Sequence, residues 1–437
     1  MKKKILCIIS IILVIGLLCG CSTSNVKTTP KGNNDSKQTE LPNKIKNDKE
    51  KDSNILNGKI EDFDDCLIEY LNNNGYLTEN YMISPLSFRS AVALAIVGAK
   101  GDTQTQLLNA IGFETVDEMI EWYSNVLSGI DSFDEILEFA IHDYEEMKEL
   151  GYYYDKPEWV YKLANSIWVN TDRISNLSNK YIKDVENIFN ADSITSNSST
   201  INNDIDLWVS NKTNGFIKKL DLDLSSSESV LVNTVYLKST WIESFSDGHT
   251  KIGDFLTYDD EIVEKEFMEN TGRYYYIADL DYELVCIPLY GNINVVYVIG
   301  NSNNIKDKVE TAEYELVHVK IPKIELDTRF SNSELKNFLI DNGAELAFTN
   351  QADFSAMLDD NSGVDSLNID DIAQITRIMT DEDGLEASAV TVVTMETSAM
   401  VTKPQKEYEF IADHPFSFYI LDGNNDNEVI FYGQIVK

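Results

Sequence analysis

Side chains suited to catalysis are scarce in this 437-residue chain. The four histidines, His142, His249, His318 and His414, stand far apart. None belongs to a His-Glu-x-x-His metal motif, and the chain has no Gly-x-Ser-x-Gly nucleophile turn and no phosphate-binding glycine loop. A histidine without a positioned partner is structural, so the chain is not expected to be an enzyme. The acidic run Asp422-Gly423-Asn424-Asn425-Asp426 offers oxygen ligands to calcium. It lies between two apolar stretches, however, and reads better as a hairpin turn. No metal site and no cofactor are expected.

The elements matter more than any reactive group, and one stretch stands out. Between Asp381 and Met400 the chain alternates with a period of two. Leu385, Ala387, Ala389, Thr391, Val393 and Met395 fall on one side, all small or apolar save one hydroxyl. Glu386, Ser388, Val390, Val392, Thr394 and Glu396 fall on the other and mix charge with hydroxyl and β-branched groups. That is a strand with a buried face and a wetter face. Its opening half is nevertheless Gly, Ala and Ser, which form strands poorly. Small side chains let a segment slide between strands already in place, and the alternation lets it fit once there. A loop in one state and an interior strand in another is the expectation; an ordinary exposed strand is the plainer alternative.

Composition bounds the rest. A hydrophobic fraction of 43% suits a folded domain with a sizeable core. The net charge is −37; the segment 1–55 carries +5, so the remainder carries −42. Nucleic acid is excluded as a partner and self-repulsion favours a soluble monomer. Lys2-Lys3-Lys4 precedes the apolar run Ile5 to Leu18, too short to span a bilayer, as in a signal peptide. Leu18-Cys19-Gly20-Cys21 resembles a bacterial lipobox, with cleavage before Cys21 and lipid on its thiol. A secretory signal cut elsewhere is the alternative. Residues 1–20 are thus expected to leave as a lipoprotein signal, and 21–55, polar and Lys-rich, to form a flexible tether. The folded domain is placed at 56–437, held on the outer side of a bacterial membrane by multiple acyl chains. Cys7 and Cys19 depart with the signal, which leaves Cys66 and Cys286. Buried thiols are expected there rather than one disulfide.

Within the domain, residues 60–73 have helical spacing, and Tyr81-Met82-Ile83 is a short strand ending at Ser84-Pro85. Ser84 caps a helix, Phe88 to Ala99, that is apolar nearly all round and so lies behind a sheet. A helix opening at Thr103 and closed by Gly112 follows. Strands are expected at Leu163–Val169, Val230–Trp241, Glu315–Ile324 and, as a pair, within Tyr282–Gly300. Further helices are expected at Ile205–Leu220 and Ser331–Asn342.

Glu382-Asp383-Gly384-Leu385-Glu386-Ala387-Ser388-Ala389 resembles the hinge of the reactive-centre loop of the serpins. Asp413-His414-Pro415-Phe416 with Phe431-Tyr432-Gly433-Gln434 resembles that family's closing strand pair. Asn80 to Ser87, Leu163-Ala164-Asn165-Ser166-Ile167-Trp168, Thr213-Asn214-Gly215-Phe216 and Val230 to Trp241 match other serpin segments in order. The resemblance implies an α+β fold with a large mixed or antiparallel central sheet, two smaller sheets and eight or nine helices. It implies an exposed reactive-centre loop at about 382–404 near the C-terminus, and a sheet-opening region of Asn80, Ser84, Ser87, Asn233, Trp241 and Gln374.

It further implies a suicide-substrate inhibitor that a serine or cysteine protease attacks, leaving a covalent acyl complex. The bond attacked in the family usually lies sixteen residues past the position of Glu382, which gives Ser398–Ala399. Small residues on both sides suit an elastase-like or subtilisin-like pocket. The stretch on to Pro415 is slightly longer than the family's, which keeps Met400–Val401 as the alternative. Two departures stand out. Leu385 is bulkier than the family's usual Thr, Ser or Val. Gln374 replaces a frequent His, so it is expected to hydrogen-bond Asn233 without titrating near neutrality. A non-inhibitory serpin acting as a surface binding lipoprotein is the rival function; its hinge typically loses small residues, and here Ala387-Ser388-Ala389 are intact.

Overall fold

The computed structural model describes residues 55–56, 59–60, 62–152, 155–173, 177–220, 223–330, 333–359, 367–385 and 406–437. The N-terminal third of the domain opens with a two-residue ribbon, β1 (Ile55–Leu56) and β2 (Lys59–Ile60), then α1 (Phe63–Leu71), β3 (Tyr81–Ile83), α2 (Pro85–Gly98), α3 (Gly101–Ala110) and the long α4 (Val116–Glu149). The centre holds β4 (Val160–Asn170), α5 (Asn179–Phe189), β5 (Asp192–Ser196), α6 (Ile201–Lys212) and β6 (Ser229–Thr240). Then come β7 (Lys251–Leu256), β8 (Ile262–Ala278), β9 (Tyr282–Leu289), β10 (Ile293–Gly300), α7 (Ile305–Thr311), β11 (Glu313–Pro322), β12 (Ile324–Phe330) and α8 (Glu334–Asp341). The chain ends with β13 (Asp371–Thr380), β14 (Gly384–Leu385), β15 (Glu407–Ile411), β16 (Phe416–Asp422) and β17 (Glu428–Ile435).

These elements make an α+β fold with a mixed sheet of six strands, order β12-β13-β14-β6-β4-β5, and a nine-stranded sheet beside it. The six-stranded sheet is covered on both faces. Val230, Val232 and Ile375 pack under α6 with Trp168, Ile205 and Trp208. Val235, Leu237, Ile378 and Leu385 point the other way, into a core shared with β8, β9, β10 and β16. Strand β12 shows the pattern most plainly: Ile324, Leu326, Thr328 and Phe330 are buried while the three residues between them are exposed.

Helix α2 lies beneath this sheet because its sequence allows no wet face. Ser84 caps it by accepting from the Ser87 N–H at 3.1 Å, and Pro85 occupies the first turn. Helix α6 stops at Lys212, earlier than its apolar spacing suggested, because Asn214 and Gly215 adopt left-handed conformations. The run 422–426 is the turn between β16 and β17, and no metal-ligand cluster occurs among the described residues. Cys286 is a buried free thiol on β9, hence not paired with Cys66, which is half-buried on α1. No helix among the described residues is long and apolar enough to cross a membrane.

Candidate functional site

The turn from β13 into β14 is hydrogen-bonded from both sides. Its first residue, Asp381, accepts hydrogen bonds from the N–H groups of Asp383 (2.9 Å) and Gly384 (3.2 Å). A carboxylate that caps its own downstream amides fixes such a turn. The far side is held by the chain leaving β6. The Trp241 and Phe245 N–H groups donate to the Asp383 and Glu382 carbonyls, each at 2.9 Å. The Trp241 indole, fully buried, donates to the Asp381 carbonyl at 2.9 Å.

Glu382 is tied down by its side chain as well. Its carboxylate receives Lys323 Nζ at 2.8 Å and the Thr250 hydroxyl at 2.5 Å. Burial pushes its pKa up, but the hydrogen bonds from Lys323 and Thr250 outweigh that and hold it below the ordinary glutamate range. Gly384 is required by close approach: a Cβ there would lie 2.2 Å from the Ser239 carbonyl oxygen and 2.7 Å from the Thr240 Cα.

Strand β14 is a wedge. Gly384 and Leu385 pair antiparallel with Thr240 and Ser239 of β6, and Leu385 also pairs with Thr380 of β13. Further along, β6 and β13 pair directly and in parallel, Val230 to Asn233 with Asp371 to Gln374. Leu385 thus sets Ser239 level with Thr380, while Val230 is level with Asp371. The step from Val230 to Ser239 on β6 is the same length as the step from Asp371 to Thr380 on β13. The wedge therefore sits in a register that continues without a slip. Between these two places, residues 234–238 of β6 and 375–379 of β13 have no direct ladder. Below the wedge lies a narrow cavity of about 10 Å³, bounded by Val235, Leu237, Ile378 and Leu385, with Met82 and Phe431 also lining it.

Where the two strands do close, polar groups hold them. The Gln374 amide accepts from the Ser84 N–H and donates to the Ser84 carbonyl, both at 3.0 Å. Thr376 donates to the Met82 carbonyl at 2.7 Å, and Met82 N–H donates to Thr328 at 3.0 Å. Asn233, the register partner of Gln374, donates to Asn165, which donates to the Tyr123 hydroxyl at 2.9 Å. Three buried atoms here, Asn233 Oδ1, Ser87 Oγ and Thr234 Oγ1, find no hydrogen-bond partner. Such groups cost about 1–3 kcal/mol each when left unpaired.

Gly384 and Leu385 thus part β6 from β13 at one end of the six-stranded sheet. The family model for serpins, the serine protease inhibitors, matches residues 61–437. The chain belongs to the serpin family. An uncharacterized serpin-like protein of Methanosarcina acetivorans is 27% identical over 381 residues, covering 82% of this chain and 81% of its own. Leukocyte elastase inhibitor A of Mus musculus is 26% identical over 388 residues, covering 82% and 93%. Among solved structures, the thermophilic serpin tengpin in its native state superposes with a TM-score of 0.69 at 24% identity, covering 86% of this chain and 93% of that one. Serpins are in general protease inhibitors rather than catalytic enzymes.

In this serpin the sequence-predicted residues fall into three groups. Ser84, Ser87, Asn233 and Gln374 gather under the closed part of the sheet, while Trp241, Glu382, Gly384 and Leu385 form the wedge. Asn80 belongs to neither. Its side chain clamps the C-terminus, accepting from Val436 N–H at 2.7 Å and donating to the Lys437 carbonyl at 2.8 Å. Glu386, Ala387, Ser388, Ala389, Ser398, Ala399, Met400, Val401 and Cys21 lie outside the described residues, as do the signal and most of the tether. The expected hydrogen bond between Gln374 and Asn233 is replaced by the two to Ser84. An amide has one donor end and one acceptor end, and the Ser84 backbone presents the complement of both. Lys323, Thr250, Asp381, Asn165 and Thr376 were not anticipated. Asn165 and Asp381 stood in stretches already singled out but without a role of their own, and Lys323, Thr250 and Thr376 are common residue types that only the folded chain brings to the site.

Proposed function

We propose that this serpin is a single-use inhibitor of an extracellular serine or cysteine protease with a small-residue pocket of the elastase or subtilisin kind. The protease nucleophile attacks the carbonyl carbon of Ser398. The bond to the Ala399 nitrogen breaks, that nitrogen takes the proton given up by the nucleophile and leaves as the new amine, and the acyl-enzyme ester, or thioester where the nucleophile is cysteine, keeps the protease attached. Residues from Glu386 onward then enter between β6 and β13 as an added antiparallel strand, which is strand addition and a conformational switch at once. The observation that carries this reading is the common register of β6 and β13 at the wedge and at the closed pairs. Extended along it, Ala387 falls between Leu237 and Ile378, Ala389 between Val235 and Thr376, and Thr391 between Asn233 and Gln374. The small residues thus meet the narrow cavity, and the hydroxyl meets the unpartnered amide oxygen. About a dozen new ladder hydrogen bonds at ~0.5–1.5 kcal/mol net give on the order of 10 kcal/mol. That rivals the ~5–15 kcal/mol stability of a typical domain, so the intact form is stored at higher energy than the inserted one.

A lipid on Cys21 would hold the domain at the outer membrane surface, with residues 22–55 as the tether, and the inhibitor would work as a monomer. The relative named for leukocyte elastase supports a small-pocket target. Mixing the protein with elastase and with subtilisin tests the reading. An adduct that survives SDS, a released peptide beginning at Ala399 and a nicked form that melts higher than the intact one are expected. Clean cleavage that leaves the protease active would instead make this a non-inhibitory serpin.

A further inference from the structure

The polar groups behind Asn233 form a chain with a direction, and the direction is set at its far end. Helix α5 stops at Phe189, and its last carbonyls have no partner within the helix. The Phe189 carbonyl oxygen, which can only accept, takes the Tyr123 hydroxyl hydrogen at 3.0 Å. A hydroxyl has one hydrogen to give. The Tyr123 oxygen can then only accept, so the Asn165 amide turns its NH2 end toward it, at 2.9 Å. That leaves the Asn165 oxygen facing β6, where Asn233 meets it with its own NH2 end. Asn233 Oδ1 is thereby turned away from Asn165, and it finds no hydrogen-bond partner among the described residues. Tyr123 is built to hold this arrangement. It lies on the buried face of α4 with Met119, Val126 and Phe133, and its ring packs edge-on against that of Phe189, centroids 4.8 Å apart. Burial pushes the pKa of its phenol up, so the hydrogen stays in place.

The inserted strand proposed above would bring Thr391 level with Asn233 and Gln374. Both ends of the Gln374 amide are engaged by Ser84, so Asn233 Oδ1 is the acceptor left for the Thr391 hydroxyl. With the Asn233 amide reversed, that hydroxyl would accept from the NH2 end and its own hydrogen would be buried unused, which is costly. Asn165 and Asn233 are register partners in the β4–β6 ladder, which insertion between β6 and β13 would not open. The chain of hydrogen bonds therefore survives the event it serves. We propose that Tyr123 is a positioning residue for loop insertion. Acting through Asn165, its hydroxyl fixes the Asn233 amide with the oxygen outward and prepares an acceptor for Thr391 before the loop is cut. This role rests on the insertion reading, and it adds to that reading a residue on a helix remote in sequence from the hinge.

The test is a double-mutant cycle on Tyr123→Phe and Thr391→Val, with the full-length protein melted both intact and nicked in the loop. Phenylalanine keeps the ring and its packing, so Tyr123→Phe should fold, with both forms melting somewhat lower. In the parent, Thr391→Val should lower the melting point of the nicked form by about 1–2 °C. In the Tyr123→Phe background the same change should cost less than half as much, because Asn233 no longer holds one direction. Intact forms should show no coupling between the two positions, which a merely structural role for Tyr123 would not distinguish from the nicked ones. Asn165→Ala cuts the chain at the next link and should abolish the dependence on Thr391 in the same way, whether or not Tyr123→Phe folds. Thr391→Ser, which keeps the hydroxyl, should cost the same in every background. If the nicked form melts higher than the intact one but Thr391→Val costs as much without the Tyr123 hydroxyl as with it, the role of Tyr123 is refuted alone. A nicked form that melts no higher than the intact one would overturn the insertion reading, and the role of Tyr123 with it.

Discussion

Replacing Ala387 with Asp tests the register directly, because the neighbouring position supplies its own control. On the proposed insertion the register shared by β6 and β13 would put residue 387 between Leu237 and Ile378, which are 7% and 5% exposed. Met82 and Phe431 line the cavity beneath, and no cation is among its lining residues on that face apart from the outward Arg377. A carboxylate left there without a partner costs ~3–5 kcal/mol, which slows insertion about 10²- to 10⁴-fold if the transition state feels all of it. The acyl-enzyme is then hydrolysed before it can be trapped. On the proposed insertion position 388 would face the other way, beside Tyr236 and Arg377, so Ser388→Asp would carry the same charge into a wetter site next to a guanidinium. The assay is titration of protease activity alongside an SDS gel. For Ala387→Asp the adduct should vanish and many equivalents should be cleaved per protease inactivated; Ser388→Asp should retain the adduct. Equal loss by both, or by neither, would refute the register.

Four further outcomes are expected. Gln374→Ala leaves the Ser84 N–H unpaired, while the Ser84 carbonyl keeps its bond from the Phe88 N–H, so the intact form should lose about 1–3 kcal/mol, read by denaturant unfolding. A double-mutant cycle on Lys323→Ala and Glu382→Ala should give a coupling of about 1 kcal/mol, since the lysine is partly exposed. Because the Glu382 pKa is depressed in the fold, that coupling should be full above its ordinary value of 4.5 and fade as pH falls through the lower folded value. Asp64 behaves oppositely: burial, reinforced by the charge of Glu428, pushes its pKa up to about 7. The fold therefore keeps a proton that the unfolded chain has lost, stability falls as pH rises from 4 to 7, and Asp64→Asn should flatten that part of the melting-temperature profile. Thr391→Val should leave the intact protein's melting point unchanged and lower that of the nicked form, because only the inserted strand brings a hydroxyl to Asn233.

How much of this could be read beforehand depends on the range of the forces involved. Helix α2 was legible because Ser84, Pro85 and a continuous apolar body are local signals. The alternation from Leu385 to Met395 was legible for the same reason. Boundaries were less so: Ile60, read as helical, pairs instead with Ile55 in the β1–β2 ribbon. Strand β8 runs 17 residues through Thr271-Gly272, a pair that punctuates the apolar pattern yet is carried by pairing with β11. Gln374 bonds Ser84 rather than the expected Asn233 because a side chain's partner is set by tertiary position, and residues 84 and 374 are 290 apart. Lys323 meets Glu382 because β12, which starts at the next residue, pairs with β13 so that Ile324 lies opposite Thr380, a fact of strand pairing rather than of sequence spacing.

The geometry divides insertion into two parts with different chemistry. Residues 386–390 would fill the positions opposite 234–238 and 375–379, where no backbone ladder between β6 and β13 has to break. Their passage depends on size and charge alone, which is why the chain spends its smallest residues there. From Thr391 onward, four parallel pairs must separate, and beneath them Gln374 grips Ser84. Each of those pairs is exchanged for two new ones, so this second part runs downhill once begun. A hinge substitution therefore acts before the sheet is committed and turns the inhibitor into a substrate. A weakened clamp acts on the closed pairs themselves, and lets the sheet open without any cut, to its own loop or to that of another copy. The same sheet thus needs a loose upper end and a tight lower end, and the wedge and the Ser84 clamp supply one each.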